Sequence, residues 1–206
     1  LEFRRVLFRS AEIYLSGDIV DDTEGNFIST RLNSTDGYEF PKDIKRQLDS
    51  VKDKSLTIYI NSYGGSVAAG VAMANMIPRP PKPTTAIVDG FCCSIATQIF
   101  FSADTCKMPT NAYLMIHQPE VEISGNANDF RKAADTLDIL QRGLETTYRK
   151  KKIAGVSDEE MPVVDGDAFG LVAHLACADH LVVAEVDFSH EAFREVARAV
   201  DGLALV

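Results

Sequence analysis

Short β-branched apolar runs alternate along this chain with segments of helical spacing, and no other feature limits its fold as tightly. AEIYLSGDIV (11–20) sets Ile13 and Leu15 in period-two alternation, which predicts a strand. PKDIKRQLDSVKD (41–53) opens with Pro41, whose fixed φ suits a first helical position, and puts Ile44, Leu48 and Val51 on one face. LTIYI (56–60) is apolar without interruption, as in a buried parallel strand. NSYGGS (61–66) reads as the turn after it. SVAAGVAMANMI (66–77) reads as a buried helix, stopped by the proline-rich PRPPKP (78–83). TTAIVDG (84–90) is the next strand, ending at a glycine, and SIATQIFFSA (94–103) the next helix, opened by Ser94. CKMPTNAYLMIH (106–117) reads as an extended pair. Strands that alternate with helices in this way predict βαβ units, hence an α/β fold with a mostly parallel sheet covered by helices.

Beyond that region a long helix is predicted. Phe130, Leu137, Leu140, Leu144 and Tyr148 recur at helical steps, and Lys150, Lys151 and Lys152 load a C-terminal end where positive charge suits the helix dipole. LVVAEV (181–186) is a candidate last strand. The ends read differently. LEFRRVLFRS (1–10) places three arginines among apolar residues in an otherwise acidic chain, and is expected to be a non-native leader. The domain is expected over 11–186, with 187–206 as a tail.

Composition limits the function classes. A length of 206 residues fits one domain, and a net charge of −9 argues against a nucleic-acid binder. No run of eighteen apolar residues predicts a membrane span. Cys92, Cys93, Cys106 and Cys177 form no CxxC pair, so no structural zinc site is expected, and the thiols are read as reduced and buried in a cytoplasmic protein.

Two strand-end segments carry the chemistry, NSYGGS (61–66) and DGFCCS (89–94). In parallel α/β folds, ligands gather at the carboxyl ends of strands. Glycines there let a substrate backbone approach, and two converging N–H groups form an oxyanion hole. Ser94 stands at a strand-to-helix turn, the N–H of Ile95 follows it, and His117 comes from a later strand end. That is the arrangement that makes a hydroxyl nucleophilic. A carboxylate must fix the imidazole tautomer, and Asp158, Asp165, Asp167 and Asp179 are its candidates. Cys93 is a competing nucleophile, but it stands before the turn and needs activation of its own. The chemistry requires no metal or organic cofactor.

YINSYGGSVAAG, GFCCSIAT and MIHQP, in this order, resemble the proteolytic subunit of the Clp protease, and most closely its phage and prophage branch. The resemblance implies stacked ββα units, as in the crotonase fold, with a protruding handle helix. It implies a serine endopeptidase with Ser94 as nucleophile, His117 as base and the amides of Gly65 and Ile95 as oxyanion hole. Asp167, in Asp167-Ala168-Phe169, matches the family's acid-x-aromatic pattern, with Asp165 in reserve. A polypeptide substrate, a homo-oligomeric ring and an unfoldase that consumes ATP are the implied partners. Capsid or scaffold maturation is the implied role in a phage setting.

Three features depart from the family. Tyr63 stands where members often have Pro or Gly, Cys92-Cys93 replaces a small Ala pair, and GLVAHLACADH (170–180) lacks the usual helix start. An inactive ring or scaffold protein is therefore one alternative. A crotonase-like acyl-CoA enzyme is the other, although it has no need of the Ser94–His117 pair.

Overall fold

The computed structural model describes residues 10–25, 36–51, 54–79, 81–109 and 111–151, with the backbone of 169–170, 175–177, 180–182 and 187–188. The chain divides into two units, Leu1–Leu114 with Cys177–His180, and Met115–Ala176 with Leu181–Val206. Each is taken by itself.

The first unit is built on a parallel sheet. Its strands are β1 (Ser10–Ile19), β2 (Tyr38–Glu39), β3 (Ser55–Gly65), β4 (Thr84–Cys93) and β5 (Thr105–Lys107), in the order β2-β1-β3-β4-β5. All four of these pairings are parallel. A sixth strand, β6 (Tyr113–Met115), also pairs with β4. The helices of this unit are α1 (Pro41–Val51), α2 (Val67–Met76) and α3 (Ala96–Ser102). α3 packs on β3 and β4, α2 on α3, and α1 on α2. The predicted α/β class with its mostly parallel sheet is the observed one.

Burial alternates along the strands. Ile13 and Leu15 of β1, Leu56, Ile58 and Ile60 of β3, and Ala86 and Val88 of β4 are buried, with Ile99, Phe100 and Phe101 of α3. Each large aliphatic side chain so buried contributes about 1.5–3 kcal/mol. The intervening residues keep contact with solvent, and the Tyr14 and Tyr59 rings stack at 5.0 Å among them. LTIYI is therefore buried on one face rather than two. Ser66 caps α2, its hydroxyl accepting the Ala69 amide at 3.4 Å, and α2 ends just before Pro78.

Two predicted boundaries shift. β3 does not stop at Ile60 but runs on through Asn61-Ser62-Tyr63-Gly64-Gly65, because β1 continues beside it and pairs Asp18 with Gly64 and Ile19 with Gly65. β4 does not end at Gly90 but reaches Cys93.

In the second unit α4 (Ala127–Lys151) is the main element. It starts three residues before Phe130 because Asn126 and Asp129 cap it reciprocally. The Asn126 side chain accepts the amides of Asn128 and Asp129 (2.8 and 3.3 Å), and the Asp129 carboxylate accepts the Asn126 amide (2.9 Å). Leu144 and Tyr148 are buried as the predicted stripe requires, but Phe130 and Ile139 are 50% and 62% exposed. Beyond α4, β7 (Phe169–Gly170) pairs antiparallel with β10 (Asp187–Phe188), so the expected tail begins in a strand. β8 (Leu175–Cys177) and β9 (His180–Val182) lie between them, and β9 takes up the start of the predicted 181–186 strand. Among the described residues, no helix is long and apolar enough to cross a membrane.

Candidate active site

The site begins with a mismatch between two parallel strands. β3 and β4 pair in register from Leu56↔Thr84 to Ile60↔Val88, and next at Ser62↔Cys92. Between these pairs one residue of β3, Asn61, faces three of β4, Asp89, Gly90 and Phe91. The Asn61 side chain takes up the mismatch by accepting the Phe91 amide at 3.1 Å. Such a bulge redirects the strand that carries it. The redirected strand is the one that ends at Ser94.

Ser94 has φ +53 and is the one non-glycine residue at positive φ among the described residues. It is not the first residue of the helix, as the sequence predicts. α3 starts at Ala96, and Ser94 occupies the sharp turn between β4 and that helix. Its carbonyl accepts both the amide and the hydroxyl of Thr97 (3.1 and 2.6 Å), which holds the turn. Left-handed backbone costs a residue with a Cβ roughly 1–2 kcal/mol and collects at functional positions. The side chain of Ile95 is buried against Gly70 of α2, which fixes the backbone that follows Ser94.

The end of β3 lies against this turn. Gly64 and Gly65 have φ +107 and +137. A Cβ on Gly64 would stand 2.6 Å from Ser94 Cβ and 2.9 Å from the Cys93 carbonyl oxygen, closer than either contact allows. A Cβ on Gly65 would collide with the Ile19 carbonyl. Both positions therefore need glycine for conformation and for space. Ser62 is buried and locks the segment, its hydroxyl donating to Gly17 O (2.6 Å) and accepting the Gly64 amide (3.1 Å). The Ser66 amide donates to Ile19 O at 2.7 Å.

A cleft of about 630 Å³ opens beside these glycines. Gly64, Gly65 and Ser66 line it, with Asp18, Glu24, Tyr38 and Tyr63 around them. The Tyr63 ring stacks on Phe91 (4.8 Å), which stacks on Tyr113 (5.2 Å), so one ring from each of β3, β4 and β6 forms a ladder. The sequence singles out Tyr63 as a departure, but nothing in its local pattern announces partners 28 and 50 residues away.

The structure thus brings Ser94, Ile95, Gly64 and Gly65 together in the first unit. Gly64, where an added Cβ would meet Ser94, belongs to the glycine pair legible in the sequence but is given no role of its own there. Cys93 is buried, as are Cys92 and Cys106, and none of the three forms a disulfide. His117 belongs to the second unit. Burial holds its imidazole below the usual value of 6.5, partly offset by the nearby Glu120 carboxylate. Asp158, Asp165, Asp167 and Asp179 lie outside the described residues.

The family model for Clp protease matches residues 3–163. The chain belongs to the Clp protease family. It is 31% identical over 137 residues to ATP-dependent Clp protease proteolytic subunit 3 of Streptomyces coelicolor, over 65% of this chain and 57% of that protein. It is 29% identical over 162 residues to the subunit 3 of Rhodococcus jostii, over 75% of this chain and 74% of that protein. The chain thus spans little more than half the length of the first relative and about three quarters of the second. Among solved structures, a mutant ClpP1 from Listeria monocytogenes superposes with a TM-score of 0.52 at 20% identity, over 69% of this chain and 71% of that one. That likeness is one of fold.

Proposed function

We propose that the chain is a serine endopeptidase of the Clp type, hydrolysing peptide bonds by acyl transfer. Ser94 attacks the peptide carbonyl. His117 accepts the Ser94 proton and returns it to the leaving amine. Asp167, with Asp165 in reserve, orients the imidazole, and the amides of Gly65 and Ile95 hold the oxyanion. The carrying observation is the Ser94 turn: a hydroxyl held at φ +53 where two strands end, against a glycine backbone.

Other features support the assignment of roles. In the parallel ladder Gly65 pairs with Ile19, and the Ile19 carbonyl is taken by the next amide, that of Ser66. We therefore assign the Gly65 amide to the side away from β1. Packing of Ile95 on Gly70 fixes the second donor. Each such donor is worth roughly 3–4 kcal/mol to an oxyanion. Burial keeps His117 neutral to lower pH than an exposed imidazole, which is the protonation state of a general base.

The relatives are named as proteolytic subunits of an ATP-dependent protease. By that likeness we assign a polypeptide substrate, assembly into a homo-oligomeric ring, coupling to an unfoldase, and a cytoplasmic site of action. The exposed Phe130 and Ile139 of α4 suit a handle helix covered by another copy. Membership of the phage and prophage branch, with capsid or scaffold protein as substrate, rests on the motif wording alone.

Turnover of a fluorogenic peptide by the wild type and by Ser94→Ala tests the proposal. Loss of turnover in the variant is the expected result, and equal turnover in both would refute it.

A further inference from the structure

The cleft beside Gly64-Gly65 has a composition of its own. Two carboxylates, Asp18 and Glu24, and two aromatic rings, Tyr38 and Tyr63, surround the glycines, and among the described residues that line it none is lysine or arginine. Both carboxylates are exposed. The neighbouring Asp21 is occupied, its carboxylate accepting the amides of Thr23 and Glu24 (2.8 and 3.0 Å). Tyr63 is 48% exposed yet braced, because its ring is one end of the ladder through Phe91 to Tyr113. A ring held in place presents a face whose quadrupole attracts cations, and Arg in particular packs flat on such a face while pairing with carboxylates.

We infer that this cleft is a specificity subsite that takes a basic side chain, an arginine or lysine of the peptide, with Tyr63 as platform and Asp18 and Glu24 as counter-charges. The inference rests on the peptidase reading for its place in catalysis, since the cleft adjoins the glycines set against Ser94. The recognition chemistry itself is independent of turnover. A planar guanidinium can stack on an aromatic ring while its N–H donors pair with carboxylates, and this one cleft offers both. A neutral side chain of the same shape gains neither attraction.

The test is binding to the Ser94→Ala protein, followed by fluorescence anisotropy of labelled peptides that differ only in a central arginine or its neutral isostere citrulline. The arginine peptide is expected to bind about tenfold more tightly at low salt, with the advantage shrinking as salt is raised. An Asp18→Asn, Glu24→Gln double variant removes that advantage, and Tyr63→Leu reduces it about threefold. Asp18 and Glu24 are exposed, so an unchanged circular-dichroism melt of the double variant is expected to accompany the loss. Equal binding of the two peptides, binding of neither, or a preference that survives the double variant would overturn the inference.

A cleavage assay of the same pair with the wild type separates the two readings. Cleavage without arginine preference leaves the peptidase and removes the subsite. Arginine-selective binding without cleavage by the wild type leaves the subsite and removes the peptidase.

Discussion

The carboxyl ends of β3 and β4 both turn through positive φ, and they bear it with different residues. β3 uses Gly64 and Gly65, at +107 and +137, where a side chain would meet Ser94 or the Ile19 carbonyl. β4 uses Ser94 at +53, where a glycine would serve the backbone better. The first end is set by space and conformation alone. The second keeps a residue that costs the fold roughly 1–2 kcal/mol, and its hydroxyl is what the cost retains. One strand end is thus stripped of side chains, and the other keeps a hydroxyl.

The largest expected effect of breaking this pairing is on turnover. Ser94→Ala should lower kcat for a fluorogenic peptide by about 10⁴-fold or more, with the thermal melting profile of the wild type retained. Next comes stability at the other end. Gly65→Ala should cost about 2–3 kcal/mol or more in urea unfolding, because both conformation and the Ile19 carbonyl oppose the added methyl. Gly64→Ala should cost a similar amount and also impair turnover, since its Cβ reaches Ser94.

Ser94→Gly sharpens the contrast. Relief of strain outweighs the extra chain entropy, so this variant should be as stable as the wild type or up to about 1 kcal/mol more stable, while inactive. A loss as large as that of Gly65→Ala would show that the two ends do not differ in the way described. The smallest effect is on pH. Burial depresses the His117 pKa, so the imidazole keeps its neutral form to lower pH than an ordinary histidine. The acid limb of kcat/KM should therefore lie below 6.5, and a limb above it would assign the base elsewhere.

Much of the fold can be read from the sequence because its cues are local. The alternation of Ile13 and Leu15, the LTIYI run and the proline stop after Ile77 each act within a few residues. The shifted boundaries have non-local causes. Asn61-Ser62-Tyr63-Gly64-Gly65 has the residues of a turn, and only pairing with Asp18 and Ile19 of β1 holds it as strand. The earlier start of α4 is a local signal that periodicity overlooks, since Asn126 and Asp129 have the spacing of a reciprocal cap.

The candidate site divides along the same line. A serine followed by a helix is legible, and so is a glycine pair after a strand. The positive φ of Ser94 is not, because it follows from the β3–β4 bulge that redirects the strand. The Tyr63–Phe91–Tyr113 ladder is also not legible, since it joins three segments distant in sequence. The acid is the least legible member. Four candidate aspartates, Asp158, Asp165, Asp167 and Asp179, follow the long helix, and spacing does not separate them; Asp167 comes from the family pattern alone.

The most direct test of an activated serine is covalent labelling. The intact protein is treated with a fluorophosphonate, and the product is read by mass spectrometry with peptide mapping. The account predicts one adduct per chain, on Ser94, absent from Ser94→Ala and suppressed in His117→Ala. No adduct on the folded wild type, or equal labelling of the Ser94→Ala protein, would contradict it.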